Sequence, residues 1–98
     1  MATLSRFGLE NKVVIVTGAG RGIGRTIALE CFQSGAKLAV GSRTTGELET
    51  LAAEIEAAGG SCFYHPLDVT DVASIAAFMD AVVSHYGRMD VLVNEIAV

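Results

Sequence analysis

The stretch "VTGAGRGIG", Val16 to Gly24, decides the fold. It follows the apolar run Val13-Val14-Ile15-Val16 and places a glycine at every second position: Gly18, Gly20, Gly22 and Gly24. A short, continuously apolar, β-branched run reads as a strand buried on both faces. The glycines after it permit a sharp turn and a close approach of backbone to whatever lies beside it. From Gly22 to Ser34 the pattern becomes helical, with Ile23, Ile27, Ala28 and Cys31 at helical spacing, and Gly35 stops it. A strand that runs through glycines into a helix aims backbone N–H groups and a helix N-terminus at one spot, which suits an anion. Arg21, in the middle of the turn, adds a cation there.

Outward from this unit the same alternation continues. Lys37 to Gly41 reads as a second strand. Thr44 with Glu47 fits a capping box that opens a helix with Leu48, Leu51, Ala52 and Ile55 on its inner face, ended by Gly59-Gly60. Ser61 to His65 is a third strand. Thr70 or Asp71 caps a third helix, with Val72, Ile75, Ala76, Met79, Val82, Val83 and Tyr86 on one face and Gly87 at its end. Val91 to Asn94 is a fourth strand. The order β-α-β-α-β-α-β predicts an α/β fold: a parallel sheet with right-handed crossovers and, in the doubly wound pattern, strand order 3-2-1-4. That pattern normally continues through two further strands, so strand 4 is expected to present an open edge.

Composition narrows the function classes. The 98 residues, 51% hydrophobic and 18% charged with a single Pro, suit one globular domain and argue against disorder. A net charge of -4 provides no basic footprint, so nucleic acid is not an expected partner. No unbroken apolar stretch exceeds Ile75 to Met79, which excludes a hydrophobic membrane span, and "MATLSRFGLENK" carries no apolar export core. The expected location is cytoplasmic. Cys31 and Cys62, without CxxC spacing, read as small hydrophobes in a reducing compartment.

The glycine motif is more specific than it first looks. "GAGRGIG" satisfies G-x-G-x-x-G in no register, and no G-K-[ST] follows. It does match T-G-x-x-x-G-x-G, in Thr17, Gly18, Gly22 and Gly24. Taken alone, such glycines also fit a turn needed only for close strand–helix packing. Here, however, the sequence resembles the short-chain dehydrogenase/reductase family. Three further segments agree with it in order and spacing. "LDVTD", Leu67 to Asp71, resembles the acidic segment after the third strand, which in that family receives the adenine amino group. "GRMDVLVN", Gly87 to Asn94, is similar to the approach to the family's Asn-Asn-Ala-Gly segment, and "SGAKLAVGSR", Ser34 to Arg43, to its second strand.

The resemblance covers about residues 8 to 94. It implies that residues 1–98 are the N-terminal part of a single NAD(P)-binding Rossmann domain, incomplete at four strands. The implied cofactor-binding residues are Thr17, Gly18, Gly20, Arg21, Gly22, Ile23, Gly24, Ser42, Arg43, Asp68, Val69 and Asn94. The end of the second strand bears on the cofactor. An acidic residue about 20 positions beyond the glycines would take the ribose hydroxyls of NAD and repel the 2′-phosphate of NADP. That place holds Gly41-Ser42-Arg43, and no carboxylate occurs until Glu47 in the next helix. Arg43 has the planar fork that pairs with phosphate, Ser42 can donate to it, and in the family basic residues at the places of Arg21 and Arg43 go with NADP. NADP is therefore expected ahead of NAD.

The family's catalytic Ser and Tyr-x-x-x-Lys find no counterpart in these residues. Tyr64 is followed at the fourth position by Asp68 and Tyr86 by Asp90, while Lys12 and Lys37 both lie upstream. No catalytic residue is assigned, and His65 and His85 read as structural. Where Asn-Asn-Ala-Gly is expected the chain has Asn94-Glu95-Ile96-Ala97. The expectation is the cofactor-binding part of an NADP-preferring oxidoreductase, with a small carbonyl or alcohol substrate only in a full-length form. The alternatives are a non-catalytic dinucleotide-binding or interaction module, or a nonfunctional truncated product. The open edge implies a homo-oligomer or self-association.

Overall fold

The structure, a computed structural model, describes residues 8–20 and 22–94. Seven elements alternate: β1 (Val13–Thr17), α1 (Gly22–Gln33), β2 (Lys37–Ser42), α2 (Thr45–Ala57), β3 (Cys62–Pro66), α3 (Val72–Tyr86) and β4 (Val91–Asn94). All strand pairs are parallel and the sheet order is β3-β2-β1-β4, as the alternation predicted. Strand and helix limits fall within a residue of those read from the sequence.

Every residue of β1 is buried because neighbours flank it on both edges and helices cover both faces. Val14 and Val16 point to one face, where Leu38 and Val40 of β2 meet Ala28 of α1 and Leu48, Leu51 and Ile55 of α2. Val13 and Ile15 point to the other, where Ala39 packs with Leu67 and with Phe78 and Val82 of α3. Side chains of this size contribute roughly 1.5–3 kcal/mol each on full burial. Two helices thus cover one face and a single helix the other. Leu92, beside Ile15 on the α3 face, remains 55% exposed.

Two local expectations are corrected. The inner face of α3 is centred on Phe78 and Val82, with Ile75, Met79 and Tyr86 partly buried, whereas Val72, Ala76 and Val83 are exposed. Gly41 explains the choice of stripe: a Cβ there would lie 2.6 Å from the Phe78 ring, so the glycine on β2 is the socket for that phenylalanine. Secondly, Thr44 occupies the N-cap of α2 in extended conformation but its side chain makes no capping bond, so the reciprocal capping box is not formed. Glu47 instead packs against Gly20. Of the two candidates for the α3 cap it is Asp71, whose carboxylate accepts the Ala73 N–H.

The sheet is tied at its N-terminal end by Asp90. Its N–H donates to the Val13 carbonyl (3.0 Å), its carboxylate accepts the Val13 N–H (2.9 Å), and Arg88 pairs with the same carboxylate. Tyr86 closes α3 onto the sheet by donating to the Leu38 carbonyl (2.7 Å), with Ser61 Oγ 2.9 Å from its hydroxyl. His85 stacks on Phe63 at 4.5 Å, and His65 Nδ1 lies 2.8 Å from the Pro66 carbonyl. Burial pushes the Cys62 thiol up to about 12 and raises that of Cys31, so neither is an activated nucleophile. No helix among the described residues is long and apolar enough to cross a membrane.

Candidate functional site

In sheet order β3-β2-β1-β4 the connections from β1 leave to one side and the chain returns to the other, so a crevice opens between the carboxyl ends of β1 and β4. The last residues of these strands are in register, and Thr17 Oγ1 donates to Asn94 Oδ1 at 2.8 Å across that crevice. Beneath them lies a cavity of about 200 Å³, lined by Thr17, Leu67, Val69, Ile75, Met79, Leu92 and Asn94. Apolar walls with an amide and a hydroxyl at the rim suit a flat, partly polar ring.

The glycine turn follows Thr17 at the carboxyl end of β1. Gly18 has a φ of +66°, a conformation that disfavours any side chain, and its N–H donates to the Gly41 carbonyl at 2.7 Å, locking the turn to β2. Gly24 lets α1 close on the turn: a Cβ there would stand 2.2 Å from the Gly18 carbonyl oxygen. Gly22, φ +64°, opens α1, and a Cβ there would meet no described atom within 4 Å beyond its chain neighbours. Ile23, the next residue, is 66% exposed. The described part of the motif therefore presents the N-terminus of a twelve-residue helix to the crevice. Arg21, like Glu95, Ile96 and Ala97, lies outside the described residues.

The β3–α3 loop lines the cavity through Leu67 and Val69, and the β2–α2 corner lies at the same end of the sheet. Ser42 ends β2, donating from Oγ to the Thr44 carbonyl (2.9 Å) and accepting the Leu67 N–H at its own carbonyl (2.9 Å). Arg43 follows, exposed and, among the described residues, in no ion pair. Asp68 is held in place by four bonds: its N–H donates to Ser74 Oγ (2.9 Å), its carbonyl accepts the Asp71 N–H (3.1 Å), and its carboxylate accepts the Thr70 N–H (3.0 Å) and hydroxyl (2.6 Å). The Thr70 bonds, with a smaller contribution from the Arg43 charge, hold the Asp68 carboxyl below the usual carboxylate range. It is an ionised acceptor at neutral pH. Val69 beside it is 40% exposed at the cavity.

The structure thus brings Thr17, Gly18, Gly20, Gly22, Ile23, Gly24, Ser42, Arg43, Asp68, Val69 and Asn94 to one end of the sheet, at the ends of the four strands, in the connections after β1, β2 and β3, and in the first turn of α1. Sequence reasoning did not anticipate two features. The cavity floor of Leu67, Ile75 and Met79 carried no signal distinct from ordinary core. Glu47, placed by its position inside a helix, returns to the site with its carboxylate against Gly20. Among the described residues no cluster of His, Cys, Asp and Glu could hold a metal ion.

A doubly wound parallel sheet with a glycine turn, a helix N-terminus and a switch-point crevice defines the nucleotide-binding α/β class. Comparison with known proteins carries this further: the profile of the short chain dehydrogenase family matches residues 12–98, and the chain belongs to that family. An uncharacterized oxidoreductase of Mycobacterium tuberculosis is 37% identical over 93 residues, covering 95% of this chain and 35% of the relative. A metagenomic short-chain oxidoreductase solved in complex with NADP superposes with a TM-score of 0.85 at 41% identity, covering 92% of this chain and 41% of that one. A Burkholderia phymatum short chain dehydrogenase/reductase, solved with NAD, superposes at 0.83 with 31% identity, covering 86% and 30%. The chain therefore spans about a third of the length of the curated relative, and the family's dinucleotide is met in both forms among the structural neighbours.

Proposed function

We propose that this chain binds NADP(H) in preference to NAD(H), as the cofactor-binding part of an oxidoreductase acting on a small carbonyl or alcohol. The observation that carries the preference is the β2–α2 corner, where Ser42 and the exposed Arg43 stand in place of a carboxylate. The residues suit such a group. The α1 N-terminus at Gly22 suits a diphosphate, the Asp68 carboxylate suits an amino group, and the cavity between Val69 and Ile75 suits a flat ring. When bound, a nicotinamide dinucleotide supplies hydride transfer. This chain's part is to hold it. Thr17 and Asn94 keep the ends of β1 and β4 together, and Arg43 neutralises the additional phosphate. The NADP complex of the metagenomic neighbour supports this reading.

Proton transfer to or from the substrate oxygen requires an acid–base group that the 98 residues do not provide as Tyr-x-x-x-Lys. The activity is accordingly proposed for the whole protein, in a reducing compartment such as the cytoplasm, a location that the two free cysteines support. Calorimetric titration with NADPH and NADH tests the preference. Arg43→Ala should lower NADPH affinity about 10- to 100-fold, the equivalent of roughly 1.5–3 kcal/mol for a charge-assisted contact, with NADH little changed. Equal affinities for the two in the unaltered chain would refute the reading.

A further inference from the structure

The two hydrogen bonds that the Asp68 carboxylate accepts fall on a single oxygen. Thr70 supplies both, its N–H at 3.0 Å and its hydroxyl at 2.6 Å, and each ends on Oδ1. Oδ2 accepts none among the described residues. The main chain at Asp68 is fixed by other means. Ser74 Oγ, in the first turn of α3, accepts its N–H, and the Asp71 N–H bonded to its carbonyl closes a turn over residues 68–71. Asp71 in turn caps the fifteen-residue α3. With the backbone held to that helix, the orientation of the carboxylate is what remains to be set, and its terminal torsion is intrinsically broad. Two donors converging on Oδ1, one of them a short charge-assisted hydroxyl bond, settle that torsion and leave Oδ2 as an ionised acceptor. Asp68 stands between Leu67 and Val69, which both line the cavity.

We propose that Thr70 is a positioning residue: by holding Oδ1 of Asp68 with its N–H and hydroxyl, it reserves Oδ2 for an amino group on the ligand's ring, and so sets a preference for a purine with an exocyclic amine over one with a carbonyl at the same place. The inference rests on the proposed dinucleotide reading and deepens it. Thr70 acts only through Asp68. A hydroxyl that merely shaped the loop would affect either ring alike, because the same loop lines the cavity whichever ring enters it.

The test titrates NADP and its deaminated form, in which hypoxanthine replaces adenine, into the unaltered chain, Thr70→Val, Thr70→Ser and Asp68→Asn. The two ligands carry the same phosphates, and at the ring an amino donor becomes a carbonyl acceptor that a carboxylate repels. The unaltered chain should favour the adenine form roughly 10- to 100-fold, the range of one charge-assisted bond. Thr70→Val keeps the branched shape and the backbone N–H and loses the hydroxyl, and it should cut that ratio about 3- to 10-fold. Thr70→Ser restores the hydroxyl and should stay within about twofold of the unaltered ratio. Asp68→Asn, whose amide can turn to donate to the carbonyl, should bring the ratio close to one. Thermal unfolding of each variant without ligand reports whether the fold is intact. If Asp68→Asn removes the preference, yet Thr70→Val leaves the ratio unchanged or weakens both ligands alike, or Thr70→Ser falls as far as Thr70→Val, the role of Thr70 is overturned and the dinucleotide reading stands. Equal affinities in the unaltered chain, or a preference that survives Asp68→Asn, overturn it as well, since Asp68 would then not read the amino group. If the unaltered chain binds neither ligand, the dinucleotide reading falls and this inference with it.

Discussion

Replacing Gly24 by alanine is the sharpest test of how the glycine motif is built. By conformation alone the change should help, since Gly24 lies in α1 without a positive φ and alanine is favoured over glycine in a helix by about 1 kcal/mol. Packing opposes it. The new Cβ would lie 2.2 Å from the Gly18 carbonyl oxygen, 2.9 Å from its carbon and 3.2 Å from the Ala19 Cα. Carbon and carbonyl oxygen approach to roughly 3.3 Å, so turn and helix would have to separate by about 1 Å. Neither yields readily, because the obstructing atoms are backbone and Gly18 is bonded to Gly41 at the end of the buried β1. Overpacking of this kind costs about 1–3 kcal/mol, and the backbone contact places it at or beyond the upper end. After the helix gain, a net loss of roughly 2 kcal/mol remains, or about 8–16 °C in Tm for a domain of this size. Urea and thermal unfolding followed by circular dichroism measure it. Gly46→Ala is the internal control: it lies in the first turn of α2, without positive φ and with nothing within 4 Å, so it should gain up to about 1 kcal/mol. The same substitution near the start of two helices should thus have opposite signs. A Gly24→Ala chain as stable as the unaltered one would refute the close-approach argument.

Two further outcomes follow from the fold. The Arg88 bonds first, and then the Val13 N–H, hold the Asp90 carboxyl below the usual carboxylate range. A folded-state value below the unfolded one contributes stability that is present above roughly pH 3.9 and lost as pH falls through the folded value, so urea midpoints should decline in acid and Asp90→Asn should flatten that decline; parallel curves would contradict it. On β4, Val91 is 37% and Leu92 55% exposed along a strand paired on one side only among the described residues. Sedimentation equilibrium should therefore show association that rises with concentration and weakens in Leu92→Lys, and a concentration-independent monomer would exclude it.

Much of this architecture is legible in the sequence. A four-residue β-branched run, a glycine turn and a helical period, followed by the same alternation, lead to parallel strands in order 3-2-1-4 because right-handed crossovers leave few other arrangements. The inner face of α2 was legible as well, since Leu48, Leu51, Ala52 and Ile55 form a single narrow stripe. On α3 apolar residues occupy more than half the circumference, and periodicity says which residues share a stripe without saying which stripe meets the sheet. Tertiary structure chose Phe78, because Gly41 opens a socket for it, and left Val72 81% exposed.

The site divides in the same way. Sequence alone determined which residue types stand at the carboxyl ends of the strands, because each element's end carries its own local signal: glycines after β1, Ser42-Arg43 after β2, Asp68 after β3, Asn94 on β4. Only the tertiary structure decided what those residues touch. Thr17 meets Asn94 across 77 positions of chain because strand register aligns them. Glu47, whose spacing from Thr44 predicts a local cap, is drawn to Gly20 instead. A capping box is a contact within one turn and can be read from spacing, whereas the space over a glycine 27 positions earlier exists only once α2 has packed beside the turn.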